Sequence, residues 1–304
     1  MAPATYFGPY AENYSDYANS GNANLGRWPL GHTLILPDGR EYRFALNDST
    51  VEVAGNLYQG VAALAGHTNR LVTTVAAIGA TAVTATIITT VAGTDIYAEG
   101  MVHVNDNTGQ GYSYRIRRAM AAGTAHASAA STSTLTVNLD PGESVKVALD
   151  TTSEVSFTRN RYHQATIHVS PPTALLTGVS PGVAAADRFY WSQIKGYAAV
   201  LANLTLLAGL PVQPDQATDG AVESRKIRVE AGGTTALLTT TAHAVLYLLD
   251  QDGTTTTFGI VTTTVGTATV RDITSGIANN SPIVGICVKA NASTDYALIN
   301  LMIV

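Results

Sequence analysis

The chain has 304 residues, of which 13% are charged and 46% hydrophobic, and its net charge is −5. An acidic balance without a dense run of Lys and Arg excludes nucleic acid as the main partner, because phosphate binding needs clustered cations. Charged residues stand at about half their usual share, so a lone copy is weakly solvated and much of its surface is expected to be covered by other subunits.

The single cysteine, Cys287, lies in an apolar strand and reads as a core thiol, so no intrachain disulfide forms. The opening MAPATYFGPY lacks the basic-then-apolar order of a secretion signal. No run approaches the ~18–20 apolar residues of a membrane span. The expectation is a chain made in a cytoplasm, soluble until it assembles, with no membrane partner.

Residues 1–31 set Tyr6, Phe7, Tyr10, Tyr14, Tyr17 and Trp28 among Asn, Ser, Gly and Pro. Gly8, Pro9, Ser20 and Gly21 argue against a long helix, so the segment reads as an extended arm. Ordering an arm costs roughly 1–2 kcal/mol per residue, and each buried aromatic returns only about 1.5–3 kcal/mol. The arm is therefore expected to add backbone hydrogen bonds as well, as a latch on a neighbouring sheet. Its six aromatics are the candidate interface residues.

Residues 32–70 open with HTLILPDGREYRFAL, two strands around Pro37-Asp38-Gly39, a strong hairpin signature. A short helix is predicted over Asn56–Asn69, with Leu57, Val61, Leu64 and Ala65 on one face and His67 near its C-terminal dipole.

Residues 71–170 read as a β-sandwich or meander. Strands are expected from Leu71 to Ile88, then a hairpin over Asp95–Arg118 turning at NDNTGQG. Alternation puts Met101 and His103 on one face, and Tyr112, Tyr114 and Ile116 together on the second strand. The turn faintly resembles a calcium loop, but Asp106 is its only carboxylate at the expected place, so no metal is assigned. Arg115, Arg117 and Arg118 form the densest basic spot and read as a solvated or interface face. Residues 119–134 are low in complexity and read as a loop. LTVNL, VKVAL and EVSFTRNRYHQATIHV, with turns at Asp140–Glu143 and Asp150–Ser153, complete the meander.

Pro171-Pro172 and Ser180-Pro181-Gly182 mark a linker over residues 171–188. The C-terminal module, residues 189–304, is expected to be a barrel-like unit. It opens with FYWSQIKGYAAVL, read as two strands around a Lys195-Gly196 turn, followed by a Gly209 turn and a loop ending at Gly220-Ala221. It closes with PIVGICVKANASTDYALINLMIV, two strands around an Asn-Ala-Ser-Thr-Asp turn. Between them lies a Thr-rich insertion, residues 226–272, with strands in KIRVEAGG, AVLYLLDQDGTTTTFGIV and GTATVRDI. The fold class is all-β: sandwich or barrel modules with an extended N-terminal arm and one short helix.

His163 and His168, five apart on a predicted strand, face opposite sides and cannot share a metal. There is no HExxH, no Cys/His spacing, no GxSxG elbow and no phosphate-cradling Gly loop. Glu99, Asp106, Glu143 and Glu154 are separate in sequence, although a folded sheet could bring two of them to glycosidase distance. No catalytic, metal or cofactor-binding residue is assigned, and no enzymatic activity is expected.

The order of an aromatic strand, Lys195-Gly196, AAVL, AGLPV and DGAVE, closing with PIVG and DYALINL, resembles the C-terminal part of tailed-phage virion structural proteins. It is similar to marine phage head proteins carrying a module like capsid decoration (cement) proteins. GHTLILPDGREYRFALN with VAGNLYQ, YAEGMVHVNDNTGQGYSYRI, and DPGESVKVALDTTSEVSFTRNRYHQATI extend the likeness over nearly the whole chain. The Thr-rich insertion matches least. The resemblance implies a homotrimer on the outer capsid surface that binds the major capsid protein and clamps the shell by multivalent contacts. It also implies that the arm, with Tyr6, Phe7, Tyr10, Tyr14, Tyr17 and Trp28, lies on the capsid or a neighbour. The alternative is a tail, fibre or adaptor component. A carbohydrate-degrading tailspike calls for a fixed-period repeat and clustered carboxylates, and a major capsid protein for a long charged spine helix; the sequence offers neither.

Overall fold

Alternating apolar and small β-branched residues make strands almost everywhere in the computed structural model, which describes residues 28–88, 96–118, 134–203, 206–224, 235–238, 268–271, 282–291 and 295–303. Tyr6, Phe7, Tyr10, Tyr14 and Tyr17, the expected loop at 119–133, and the expected strands KIRVEAGG and AVLYLLDQDGTTTTFGIV lie outside the described residues.

In chain order the strands are β1 (Thr33–Ile35), β2 (Glu41–Leu46), β3 (Leu57–Gln59), β4 (Arg70–Leu71), β5 (Ala82–Thr86), β6 (Met101–Asp106), β7 (Ser113–Arg115), β8 (Thr134–Asn138) and β9 (Glu154–Thr158). There follow β10 (Thr166–Ile167), β11 (Leu176–Val179), β12 (Phe189–Leu201), β13 (Pro211–Pro214), β14 (Val222–Ser224), β15 (Thr235–Leu238), β16 (Ala268–Arg271), β17 (Gly285–Lys289) and β18 (Tyr296–Met302). The chain divides into two compact units, Met1–Ser224 with Ile283–Val304, and Arg225–Pro282. In the second unit β15 and β16 pair antiparallel, Thr235 opposite Arg271. No helix among the described residues is long and apolar enough to cross a membrane.

The first unit is built on β12. Its first half pairs with β2, from Phe189 opposite Leu46 to Lys195 opposite Glu41, and its second half with β18, from Lys195 opposite Met302 to Leu201 opposite Tyr296. The turn expected at Lys195-Gly196 does not form. The strand runs straight through, with a register shift between Gln193 and Lys195 and Gly196 at φ 84°. Two ladders share Lys195, and their combined pairing overrides the local turn preference, while glycine takes the left-handed φ at no steric cost. Around β12 the sheet runs β10-β3-β11-β12-β18-β17-β13-β14, with the β1–β2 hairpin joined through β2. That hairpin forms as predicted, Leu34 facing Tyr42 across Pro37-Asp38-Gly39.

The expected linker at 171–188 supplies β11, which lies between β3 and β12. The strands between residues 33 and 59 therefore share one sheet with those of residues 189–224 and 285–302. Close packing explains Gly178: it holds φ 140°, and a Cβ there would strike Ser192 Oγ and lie 2.6 Å from the Gln193 carbonyl. Gly178→Ala is expected to lower stability by roughly 2 kcal/mol, read as a shift in the urea midpoint; an unchanged midpoint would show that β11 can slide away from β12.

The predicted helix at Asn56–Asn69 is replaced by β3 and a single 3-10 turn, Ala65–His67. Leu57, Tyr58 and Gln59 are all buried, and β3 pairs on both edges, with β10 and β11. Gly60 then passes so close to Arg161 that a Cβ would sit 2.8 Å from the Arg161 carbonyl oxygen. His67 does not serve a helix dipole; it is fully buried, with Nδ1 2.6 Å from the Tyr97 hydroxyl.

Residues 70–158 form a barrel. A sheet ordered β4-β9-β6-β7 and the β5–β8 pair are joined at both margins by bridges, Val72 to Ala85 and Ile116 to Leu139. Among the described residues the ring closes without a free edge. Val83, Val102, Val104, Tyr114, Leu135, Val137, Val155 and Phe157 fill it. The expected meander of sequential pairs is therefore wrong in detail. β8 pairs with β5, β9 with β6 and β4, and VKVAL folds across one end with Val145 and Leu149 buried.

Candidate interaction surface

The described chain begins at Trp28, within the last residues of the expected arm 1–31. Trp28 and Leu30 pack on a core of Leu34, Leu36, Tyr42, Phe44, Leu46, Phe189 and Trp191. The Trp28 ring stacks on His32 at 4.8 Å and 4°, His32 lies 6.4 Å from Trp191, and Phe44 lies 5.1 Å from both Phe189 and Trp191. Burial, helped by Arg43, lowers the His32 pKa, which keeps the stacked imidazole neutral. The backbone is gripped as firmly. The Gly31 N–H donates to the Phe44 carbonyl at 2.8 Å, the Leu30 N–H to Glu99 Oε2 at 2.8 Å, and Arg118 Nη2 to the Trp28 carbonyl at 2.8 Å.

Glu99 is the hub of this grip. It sits at φ 57° with its side chain buried, 3.0 Å from Arg118 and 3.4 Å from Arg115. Burial pushes its carboxyl up; Arg118, the Leu30 N–H and Arg115 pull it down, and burial prevails. Arg115 and Arg118, expected on a solvated or interface face, keep much of their side chains in solvent and also serve as counter-ions of a buried acid. Carrying the β6–β7 register back from Met101 opposite Arg115 sets Glu99 beside the basic run, and that was the available signal.

Two other carboxylates, Asp106 and Asp150, serve turns. Asp106 accepts the Asn107 N–H at 2.8 Å and lies opposite Glu154 across β6 and β9. Asp150 accepts the Thr108 hydroxyl at 2.8 Å and the Thr152 hydroxyl at 2.6 Å, bonds that hold its carboxyl down at about 2. Among the described residues no three His, Cys, Asp or Glu converge as a metal site. Cys287 is buried on the inner face of β17.

His168, which the sequence left without a partner, ties two loops together. Its Nε2–H donates to the Asp215 carbonyl at 3.1 Å and its Nδ1 accepts the Gly220 N–H at 2.9 Å. Asp215 in turn accepts the Asn203 side-chain amide at 3.0 Å and the Ala217 N–H at 2.6 Å. Burial lowers the pKa of His168, and burial with Arg159 takes His163 down to about 4. The folded protein keeps His163 neutral while the unfolded chain binds a proton below 6.5, so its contribution is full above pH 6.5 and is lost as pH falls towards 4. His163→Gln is expected to narrow the variant's deficit against wild type by about 2 kcal/mol between pH 7 and pH 5, followed by urea unfolding; parallel pH curves would rule this out.

Glu52 is the most perturbed acid. It bridges to Ala184 and is wholly buried. Burial pushes its pKa up to about 8, against the opposing hydroxyls of Tyr190 and Ser180. Such a group is what a catalytic acid resembles, but Glu52 and Tyr190 are sealed from solvent and present nothing to a substrate.

No family model, curated protein or solved structure matches the chain.

Proposed function

We propose that this chain is a non-enzymatic structural protein of a tailed-phage virion. It decorates the head from the outer capsid surface, having been made in the host cytoplasm. It binds the major capsid protein and copies of itself, three at a time, and holds the shell through several weak contacts at once. The observation that supports this reading most is the root of the arm. Trp28 is stacked, its carbonyl is held by Arg118, and Leu30 is held by Glu99, so the aromatic segment Tyr6–Tyr17 leaves from a fixed point of the fold. A tether that bears load needs such an anchor.

The test is coating of undecorated capsids by the full chain and by a variant lacking residues 1–27, which spares the Trp28 anchor. Loss of one contact from a multivalent set is expected to weaken coating by about 100-fold or more while the melting temperature holds. Equal coating by both forms removes the arm from the mechanism. A chain that ignores capsids and joins tails belongs to the tail instead.

A further inference from the structure

We infer that residues 49–54, in the loop between β2 and β3, form a lid that lifts off the sheet as Glu52 loses its proton, while the rest of the fold stays closed. Both ends of the loop are pinned. At one end the Asp48 N–H donates to the Ala165 carbonyl at 3.1 Å, and the Asp48 carbonyl accepts the Asp187 N–H at 2.7 Å. At the other the Gly55 N–H donates to the Ser180 carbonyl at 2.7 Å, and the Gly55 carbonyl accepts the Leu201 N–H at 2.9 Å. Gly55 holds φ 79° there, and a Cβ would lie 2.5 Å from the Tyr296 ring. Between the pins the lid is lightly held. The Glu52 N–H donates to the Ala184 carbonyl at 2.8 Å and the Val53 N–H to the Tyr58 hydroxyl at 2.7 Å. The Thr50 carbonyl accepts the Asn47 side-chain amide at 2.6 Å.

The polarity of this lid is inside out. Ser49, Thr50, Val51 and Val53 are exposed, and Glu52 alone is turned inward and buried. Valine is ordinarily the residue buried and glutamate the one left in water. Here Val51 and Val53 are 59% and 47% exposed, and Val183 on the facing loop is 66% exposed. The closed lid therefore gains little from burying apolar surface. The one side chain that it does bury favours closure only while it is neutral, because an unpaired charge is costly to hold away from water.

The groups around Glu52 offer it no counter-charge. Asp48 stands on its own loop, Tyr58 on β3, Tyr190 on β12 and Ser180 just after β11. Asp48 adds negative charge, and the Tyr190 and Ser180 hydroxyls ease the carboxylate without neutralising it. Tyr296 of β18 acts on Tyr58. On the facing loop, Asp187 meets this one through the N–H already named, and the Arg188 carbonyl accepts the Asn47 N–H at 2.9 Å. Among the described residues no cation acts on Glu52.

The direction of the response follows. The closed lid keeps the proton up to about pH 8, and the open lid releases it near 4.5. Opening is therefore rarest below pH 4.5, grows about tenfold with each pH unit above it, and levels off near pH 8. Over that span the open fraction rises roughly 3000-fold. Segments with few buried apolar contacts are where openings of this local kind occur.

The experiment is hydrogen–deuterium exchange of the full chain, as wild type and as Glu52→Gln, between about pH 5 and about pH 7.5. It is read at the amides of positions 52 and 53, with those of β12 and β18 as references. Hydroxide catalysis by itself speeds exchange about tenfold per pH unit, and opening linked to one proton multiplies this by about ten again. The lid amides of the wild type are expected to gain about 100-fold per pH unit and those of the variant about tenfold. They are also expected to exchange faster than the amides of β12 and β18 and to ignore about 1 M urea, which exposes surface only in wider unfolding. Equal slopes in the two proteins overturn the proposal. So do lid amides that exchange in step with β12 and β18, since the loop then opens only with the whole fold. Should the variant fold poorly, the wild-type slope and its response to urea decide by themselves: a gain of only about tenfold per pH unit rules the lid out.

Discussion

Glu52→Gln is expected to stabilise the protein by roughly 3 kcal/mol at pH 7 and by much less at pH 5. The sign follows from where the proton sits. The folded chain holds it up to about pH 8, whereas the unfolded chain releases it near 4.5. Stability from this group is therefore full below pH 4.5 and declines steadily as pH rises to about 8. Glutamine has nearly the same shape and no proton to lose, so it removes the slope. Its amide can donate to the Tyr190 and Ser180 hydroxyls, which already oppose the effect of burial on the acid. Urea unfolding of both proteins at several pH values measures the gap. A gap that does not widen between pH 5 and pH 7 would mean that Glu52 is ionised in the fold and has found a partner.

Glu99→Ala is expected to cost about 2–3 kcal/mol and to loosen the arm root. The substitution leaves the Leu30 N–H without its acceptor and strands two guanidiniums that had converged on one carboxylate. The figure sits below that of a fully buried pair because the Arg115 and Arg118 side chains are 45% and 30% exposed, and water takes over part of their solvation. The change also has an optical signature. Trp28 should become wetter while Trp191, in the same core, stays dry, so the emission shifts to the red without loss of the fold. Glu99→Gln keeps an acceptor for Leu30 and should cost about half as much. An alanine variant with wild-type stability and emission would show that Trp28 is held by stacking alone.

What could be read from the sequence was local. Pro37-Asp38-Gly39 specifies its hairpin because Pro and Gly fix the backbone whatever else the chain does. The alternation in Met101–Asp106 and Ser113–Arg115 places Val102, Val104 and Tyr114 inside because successive strand side chains take opposite faces. Long-range pairing was not legible. Nothing in Leu176–Val179 tells that it fills the gap between β3 and β12, and its flanking prolines point the other way. Leu57 to Gln59 carries residues that suit a helix as well as a strand, and only long-range pairing with β10 and β11 decides. Trp28 was legible as an aromatic without a helix to bury it. The acid that anchors its neighbour lies 69 residues on from Leu30, and no spacing rule connects them. The outer face of β18 was legible in part, since YALINLM is apolar at nearly every position and a strand has two sides.

Gly60 and Arg161 lie at the junction of the sheet and the barrel. They mark the places where the chain leaves the sheet for the barrel and where it comes back, and they pass within touching distance of each other. The second unit, Arg225–Pro282, leaves after β14 and returns before β17, two strands that flank β13 on either side. Both excursions thus begin and end at neighbouring points of one scaffold. A short turn could replace the barrel without stretching a strand, and a foreign domain with adjacent termini could take its place.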